Sequence, residues 1–206
     1  MKKLTLLLLE MIAFGCLSKI RADEPPVINP FARPAAVRDD AVPGYVELSD
    51  GSIHAGRIYL TRDKRLQVYD QQLERQREIP LSAVRQIECV VKRAWMEKEW
   101  RFKETTTDEK MFTGRVYPSR EYVHKVTLQD GCTIAGPLSA VVYVQASDQR
   151  SADPGDASKT ERFILNQRSK GELGKTLDSL VFVKWIKLGT EALDEGRKKT
   201  EQRRSH

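Results

Sequence analysis

Histidine and cysteine carry the most recognisable site chemistry, and this chain of 206 residues contains three of each. His54 and His124 alternate with apolar neighbours at the spacing of one strand face, so we expect partly buried structural histidines and not catalytic bases. Cys89 and Cys132 are the two cysteines outside the N-terminal segment. Two interpretations stay open for them, one disulfide bridge or two separate thiols, because sequence does not fix the distance between their Cα atoms.

The familiar motifs of catalysis are missing from this sequence. It has no Gly-x-Ser-x-Gly motif of a hydrolase, and no set of histidines, cysteines and carboxylates has the spacing of a metal site. Residues 171–176 approach a phosphate-binding loop, but Ser169 stands where the first glycine is required. The sequence therefore predicts no catalytic residue, metal or cofactor. An enzyme whose site no motif reveals stays as an alternative.

An aromatic, charged segment is the best candidate for a partner-binding surface. Trp95, Trp100, Arg101 and Phe102 lie there among lysines and glutamates, and aromatic and arginine side chains carry much of the binding energy at interfaces. The composition favours a short helix, whereas in a strand Trp100 and Phe102 would share one face. A structural alternative stays open, in which these aromatics pack between two small units and hold them together.

The N-terminus has the features of a secretory signal peptide at residues 1–22. Two lysines precede an apolar run at residues 4–14, and Ala22 offers the small side chain that signal peptidase requires. We therefore expect an exported protein, periplasmic or extracellular. Cys16 follows a degraded lipobox, so a lipid-anchored form is the alternative. Membrane contact would come only from the signal segment or from lipidation at Cys16.

The charge distribution argues against nucleic acid as the main partner. The chain has 35 basic and 29 acidic residues, but four of these basic residues and one acidic residue lie in the predicted signal peptide. Most of the remaining positive excess lies in residues 193–206. The body is thus nearly neutral, which gives weak attraction to a polyanion. A nucleic-acid-binding protein stays as a further alternative.

The strongest internal pattern is a repeat with an offset of 80 residues. Val-x-Leu-x-Asp-Gly occurs at residues 46–51 and again at residues 126–131, and Gly56 corresponds to Gly136. The alternation predicts a strand, Asp-Gly predicts a tight hairpin turn, and the later glycine permits a bulge or sharp bend. The predicted organisation is a signal peptide (1–22), a proline-rich linker (23–44), β-unit 1 (45–91), a connector (92–121), β-unit 2 (122–188) and a basic tail (189–206). The composition of the connector favours a helix.

The pattern V-x-L-x-D-G-x-x-x-x-G-x-[IL] resembles the opening of Sm-like and SH3-like small β-barrels. The resemblance implies two diverged small-barrel-like (SH3/Sm-like) β-units. Together with the composition of the other segments, the predicted fold is mainly β, with a short helical connector between the units and a polar C-terminal tail. The Asn-bearing loop and the Arg-Gly pair through which Sm proteins bind RNA have no counterpart here. The whole chain, including residues 99–104 and Tyr117-Pro118, is also similar to a group of small exported bacterial proteins without an assigned activity.

These features together predict an exported, non-catalytic binding or structural module of the bacterial cell envelope. Its partner would be an envelope protein or a second copy of the chain. The predicted contact residues are Trp95, Trp100, Arg101 and Phe102.

Overall fold

The computed structural model describes residues 38–62, 64–104, 108–146 and 160–204, which form a mainly β protein, as predicted. The predicted signal peptide, Cys16 and most of the predicted linker lie outside the described residues. The elements are β1 (Val42–Leu48), β2 (Ile53–Leu60), β3 (Leu66–Asp70), β4 (Arg75–Ile79), β5 (Val84–Phe102), β6 (Lys110–Leu128), β7 (Thr133–Gly136), β8 (Ala140–Ala146), β9 (Thr160–Leu165), β10 (Arg168–Lys170), β11 (Val183–Leu188) and α1 (Thr190–Arg204). Among these elements, no helix has the length and apolar character needed to span a membrane.

The two Asp-Gly pairs form turns of the same geometry. Gly51 and Gly131 have φ angles of 81° and 86°, a region that residues with a Cβ atom rarely adopt. Each preceding aspartate accepts a hydrogen bond from the amide two residues further on, at 2.8 Å for Asp50 and 2.9 Å for Asp130. The prediction that both pairs lie in hairpin turns is confirmed.

Hydrogen bonding interleaves the two halves of the chain. The first strand set runs β11-β1-β2-β8-β9, with every neighbouring pair antiparallel. The second strand set runs β5-β6-β7-β3-β4, and within it β3 joins β7 through backbone hydrogen bonds from Tyr69 to Pro137 and from Gln71 to Ala135. Each set therefore combines the first two strands of one predicted β-unit with later strands of the other. The pair β5–β11 links the two sets.

Two glycines make this exchange sterically feasible. A Cβ atom on Gly56 would overlap the backbone carbonyl of Gln145 in β8, and one on Gly136 would overlap that of Tyr69 in β3. The pairings beside them also correspond, since Ile58 lies opposite Val144 and Leu138 forms a bridge with Val68. The second strand of each half thus approaches the third strand of the other half at the same sequence position, where only glycine fits.

One hydrophobic core joins strands from both halves. Val46, Ile58, Leu66, Val126 and Val142 all have 0% exposure and belong to one packed cluster. Since burial of apolar surface is the main favourable term in folding, neither half can complete this core without the other.

The predicted helical connector is wrong, because residues 92–102 and 110–121 belong to the strands β5 and β6. These two strands are 19 residues long each and pair as one hairpin, from Val84 opposite Leu128 to Phe102 opposite Lys110. Cross-strand pairing here overrides the helix-forming composition of residues 92–104.

The C-terminal residues, predicted as a polar tail, form helix α1. Gly196 of α1 lies directly against the ring of Tyr45, which is fully buried. The Tyr45 hydroxyl donates a hydrogen bond to Glu195 at 2.8 Å and accepts one from Lys199 at 3.1 Å. The helix therefore packs on β1, β2 and β11 of the first strand set.

Candidate partner-binding site

The far end of the β5–β6 hairpin forms a two-stranded ribbon, defined here as residues 98–104 and 108–116. The base of the hairpin is supported by β10, which pairs with β6 from Ser119 to Glu121. Beyond it, the Gly174 amide donates a hydrogen bond to the Val116 carbonyl at 2.9 Å. Further out, no third strand of the described part of the chain pairs with either strand.

One face of the ribbon is aromatic and exposed. Trp100 lies opposite Phe112 across the two strands, and directly opposed residues share a face. The rings of Trp100 and Phe102 meet edge to face with centroids 5.2 Å apart, and Lys110 Nζ lies 4.3 Å from the Trp100 centroid. Trp100, Phe102 and Phe112 are 37%, 50% and 62% exposed. We call this surface, completed by Lys98 and Val116, the aromatic face.

The opposite face of the ribbon is polar and contains internal ion pairs. Glu99 accepts hydrogen bonds from Thr113 and from both sides of the Arg115 guanidinium, at 2.8 and 3.0 Å for the arginine. The hydrogen bonds from Thr113 and Arg115 lower the pKa of Glu99 below its usual range. Met111, opposite Arg101, is the large apolar residue on this side. The two faces therefore differ in chemistry although they share the same strands.

The structure places the predicted contact residues at three different locations. Trp95 lies at the base of the hairpin and is only partly exposed, with the guanidinium carbons of Arg93 and Arg168 4.9 and 5.1 Å from its ring centroid. Trp100 and Phe102 lie together on the aromatic face, and neither packs between the two strand sets. Arg101 lies on the polar face.

Lys110 and Phe112 lie on the aromatic face but were absent from the sequence prediction. Both lie in β6, and nothing in the composition of β5 indicated that this segment pairs with the strand that contains Trp100. Phe112, Thr113, Val116 and Tyr117 are residue types enriched in strands, and this composition was a strand signal. What it could not supply is the register, which depends on the turn and on a shift in pairing between Lys98 and Trp100.

The two cysteines are separate thiols, so the predicted alternative of a Cys89–Cys132 disulfide is wrong. Cys89 is buried and Cys132 is exposed. Cys89 lies opposite His124, which in turn lies opposite Gly136. Cys132 is therefore two strands away and four residues further along, about 16 Å by ordinary strand spacing, far beyond disulfide reach. Burial, with a smaller contribution from Glu88, raises the pKa of the Cys89 thiol to about 12.

Both histidines lie where a structural role is expected, although their surroundings differ. His124 has 0% exposure, and neither of its ring nitrogens has a hydrogen-bond partner among the described residues. Desolvation by burial lowers the pKa of His124 to about 4. His54 instead contacts Glu161 through Nδ1 and packs against the ring of Phe163 with centroids 4.8 Å apart.

The remaining motif of the sequence, residues 171–176, forms an irregular loop after β10. Gly174 has a φ of 76° within a turn, and the Gly171 amide donates a hydrogen bond to the Pro118 carbonyl at 2.8 Å. The loop thus helps to hold the base of the hairpin. In the part of the chain that the structure describes, no three His, Cys, Asp or Glu side chains are grouped to hold a metal ion.

Comparison of the chain with protein-family models, with curated proteins and with solved structures finds no match in any of the three.

Proposed function

We propose that this protein is an exported, non-catalytic binding module of the cell envelope that engages its partner through the aromatic face. The observation that carries this proposal is a set of exposed aromatic rings on a ribbon that pairs with no third strand among the described residues. A two-stranded hairpin by itself is marginally stable in water, and exposed clusters of large apolar side chains typically mark interaction surfaces.

The rest of the fold supplies a platform for such a ribbon. When each strand is numbered by its position in its own half of the chain, both strand sets have the order fifth-first-second-third-fourth. This shared order supports the resemblance to Sm-like and SH3-like small barrels and the origin of both sets from one repeated unit. The hairpin that forms the ribbon is anchored at its buried end by Val84, Ile87 and Val126. A rigid support of this kind lowers the entropic cost of ordering the ribbon on a partner.

The location in the cell envelope rests on the sequence of residues 1–22, which has the charge, length and small-residue pattern of a signal peptide. Intact mass spectrometry of the protein from the native cell tests it. We expect a chain that begins at Asp23, and a diacylglycerol adduct on Cys16 would support the lipid-anchored alternative. An intact Met1 in cytosolic protein would contradict both.

Photo-crosslinking in the native cell tests the binding role of the ribbon. A benzophenone side chain at position 112 would replace Phe112 on the aromatic face, and the same group at position 111 would replace Met111 on the polar face as a matched control. We expect a defined crosslinked product from position 112 and little from position 111. Equal products from both positions, or none from either, would contradict the proposed binding surface.

A further inference from the structure

A cavity of about 410 Å³ lies beside the link from β2 to β3, residues 61–65, where the chain crosses from the first strand set to the second. The link, the start of β8 and the end of β9 contribute to its walls. This volume is within the range of small-ligand sites, roughly 300–1,000 Å³. The residues that line the cavity lie outside the ribbon, so the cavity is separate from the aromatic face.

The link beside the cavity is longer than its counterpart in the other half of the chain. Ile58 corresponds to Leu138, and Val68 to Val144, because each second-strand residue lies opposite the third strand of the other half. Val68 follows Ile58 by ten positions, whereas Val144 follows Leu138 by six. The shorter link makes the same crossing, so the fold does not require the additional residues. The longer link contains three basic residues and one acidic residue, which makes this part of the surface positive.

Two cations of the link, Lys64 and Arg65, line the cavity and have no carboxylate partner among the described residues. Both residues are exposed. The carboxylates of neighbouring elements are engaged elsewhere, since Asp40 accepts a hydrogen bond from Arg38, Glu78 accepts one from Gln67, and Glu161 contacts His54. The positive charge beside the cavity is therefore available to an anion.

Another part of the cavity lining is apolar. Leu60 and Leu165 are buried there, and Val141 lies opposite Ile164 across β8 and β9. Ile164 is 47% exposed although it lines a concave site. Apolar side chains in a concave site favour an apolar ligand group, and covering Ile164 with such a group would contribute to binding. The cavity therefore combines an apolar wall with two cations that lack a partner.

We propose that this cavity binds a small amphipathic anion, a molecule with one short apolar chain and a carboxylate or phosphate head. The chain packs on Val141 and Ile164, and the head accepts hydrogen bonds from Lys64 and Arg65, whose charge and donors fit the oxygens of either head. Exposed ion pairs alone contribute little, so the apolar contact must supply much of the affinity. A polyanion without apolar groups lacks that contact. This site goes beyond the binding role proposed for the ribbon and does not depend on it.

Backbone amide NMR of the purified protein, titrated with octanoate and with octyl phosphate, tests the proposal. We expect chemical-shift changes confined to the link, the start of β8 and the end of β9, with a Kd on the order of 0.1–1 mM for such small ligands. Octanol has the chain without the charge, and inorganic phosphate has the charge without the chain. Each should bind at least about tenfold more weakly than octanoate. The head that binds more tightly distinguishes a fatty acid from a lipid phosphate as the source of the ligand.

A matched pair of variants tests the role of the cations. Arg65→Gln removes one charge from the cavity lining, and we expect it to weaken octanoate binding at least about fivefold. Arg62→Gln removes the same charge from the same link, but Arg62 does not line the cavity, so the Kd should change by less than about twofold. Both residues are exposed, and an unchanged melting temperature shows that each variant is folded. Equal effects of the two substitutions would overturn the inference.

The apolar contact is tested by chain length and by Ile164→Thr. The two methylenes that octanoate has beyond hexanoate should tighten binding about tenfold if the cavity buries them, and Ile164→Thr should reduce that gain. Octanol that binds as tightly as octanoate, shift changes on the aromatic face instead of the cavity, or no shift changes at all would overturn the inference.

A single-stranded oligonucleotide provides the test against a polyanion. If it binds the same residues more tightly than octanoate does, the amphipathic anion is the wrong ligand class. The photo-crosslink from position 112 reports on a different surface, so failure of octanoate and octyl phosphate to bind would leave the binding role of the ribbon intact.

Discussion

The two strand sets share one strand order, but their corresponding strands β1 and β6 differ in length and in what covers them. In the first set, β1 is seven residues long and Tyr45, in its middle, is covered by helix α1. In the second set, the corresponding strand β6 is 19 residues long and continues with β5 past the core into the ribbon. The first set is thus covered by helix α1, and the second carries the ribbon as an extension. The comparison teaches that lengthening one hairpin extends a core element into an exposed aromatic surface without changing the strand order.

Gly44 and His124 are one pair of buried, corresponding positions at which the two sets differ. By the offset of 80 residues, Gly44 in β1 corresponds to His124 in β6. A Cβ atom on Gly44 would overlap the carbonyl of Lys187 in β11, whereas His124 faces the small residues Cys89 and Gly136 across its neighbouring strands. The first set is therefore closely packed there, and the second contains an imidazole that cannot ionise without cost.

The largest expected effect comes from substituting the glycines that the two sets have in common, at which the exchanged strands approach closely. Gly136→Ala and Gly56→Ala each push a methyl group into a backbone carbonyl of the exchanged strand, which cannot move as a side chain can. We expect each to lower the free energy of unfolding by about 3 kcal/mol, measured by urea denaturation. Gly131→Ala is the control, because nothing lies within 4 Å of its added Cβ and only the positive φ costs, about 1 kcal/mol. A cost at Gly56 or Gly136 no larger than at Gly131 would contradict the close approach of the exchanged strands.

The exchange itself could not be predicted from the sequence. The link from β2 to β3, residues 61–65, allows β3 to pair within its own half or with the other half, and local pattern is identical in both cases. What decides is long-range packing, here the fit of Tyr69 against Gly136 and of Gln145 against Gly56. By contrast, the Asp-Gly turns and the mid-strand glycines were predictable, because their conformations depend on the residues themselves.

The second prediction concerns the difference at His124. Its folded pKa of about 4 lies below the ordinary value of 6.5, so the unfolded chain binds the proton more tightly. The contribution of neutral His124 to the free energy of unfolding is therefore fully present above about pH 6.5. It decreases as the pH falls, and about 3 kcal/mol has been lost at pH 4. His124→Leu should remove the part of the fall between pH 6.5 and 5, where few carboxylates titrate. Identical pH profiles of the two proteins by thermal melting would contradict a neutral, unpartnered His124.

The third prediction concerns how α1 closes the first set. Tyr45→Phe removes a hydroxyl that bonds to both Glu195 and Lys199, and we expect a loss of about 1 kcal/mol with faster amide exchange in α1. Partial burial alone would raise the pKa of Glu195, but hydrogen bonds from Tyr45, Lys187 and Lys199 lower it to about 2. This carboxylate thus keeps its stabilising charge above pH 4.5 and loses it only toward pH 2, so the network does not account for a fall between pH 6.5 and 5. Unchanged exchange in α1 would show that the hydroxyl does not hold the helix.

The sequence pointed to Trp100 and Phe102, two of the three rings of the aromatic face, but assigned them to the wrong element. Residues 92–104 are rich in glutamate, lysine, arginine and methionine, which favour helix locally. A helix would not have placed Trp100 beside Phe102 on one face. The strand partner lies beyond the hairpin apex, in residues 110–117. These residues contribute to the aromatic face only through the register that places Phe112 opposite Trp100. Pairing between segments, and not composition within one, determined the surface.

The smallest expected effect distinguishes the ribbon from the core most directly. Trp100 is 37% exposed and contacts Phe102 and Lys110 on the ribbon itself. Trp100→Ala should therefore change the free energy of unfolding by less than about 0.5 kcal/mol, whereas a tryptophan that held two units together would cost about 3–5 kcal/mol. Trp95→Ala is the matched control in the same strand, because that ring lies between two guanidinium groups at the hairpin base and should cost about 1–2 kcal/mol. If Trp100→Ala lowers the melting temperature as much as Trp95→Ala, the ribbon is part of the stabilising structure. If the melt is unchanged and the crosslinked product from position 112 is lost, these rings serve an interface, which is what an extension added to an already closed core predicts.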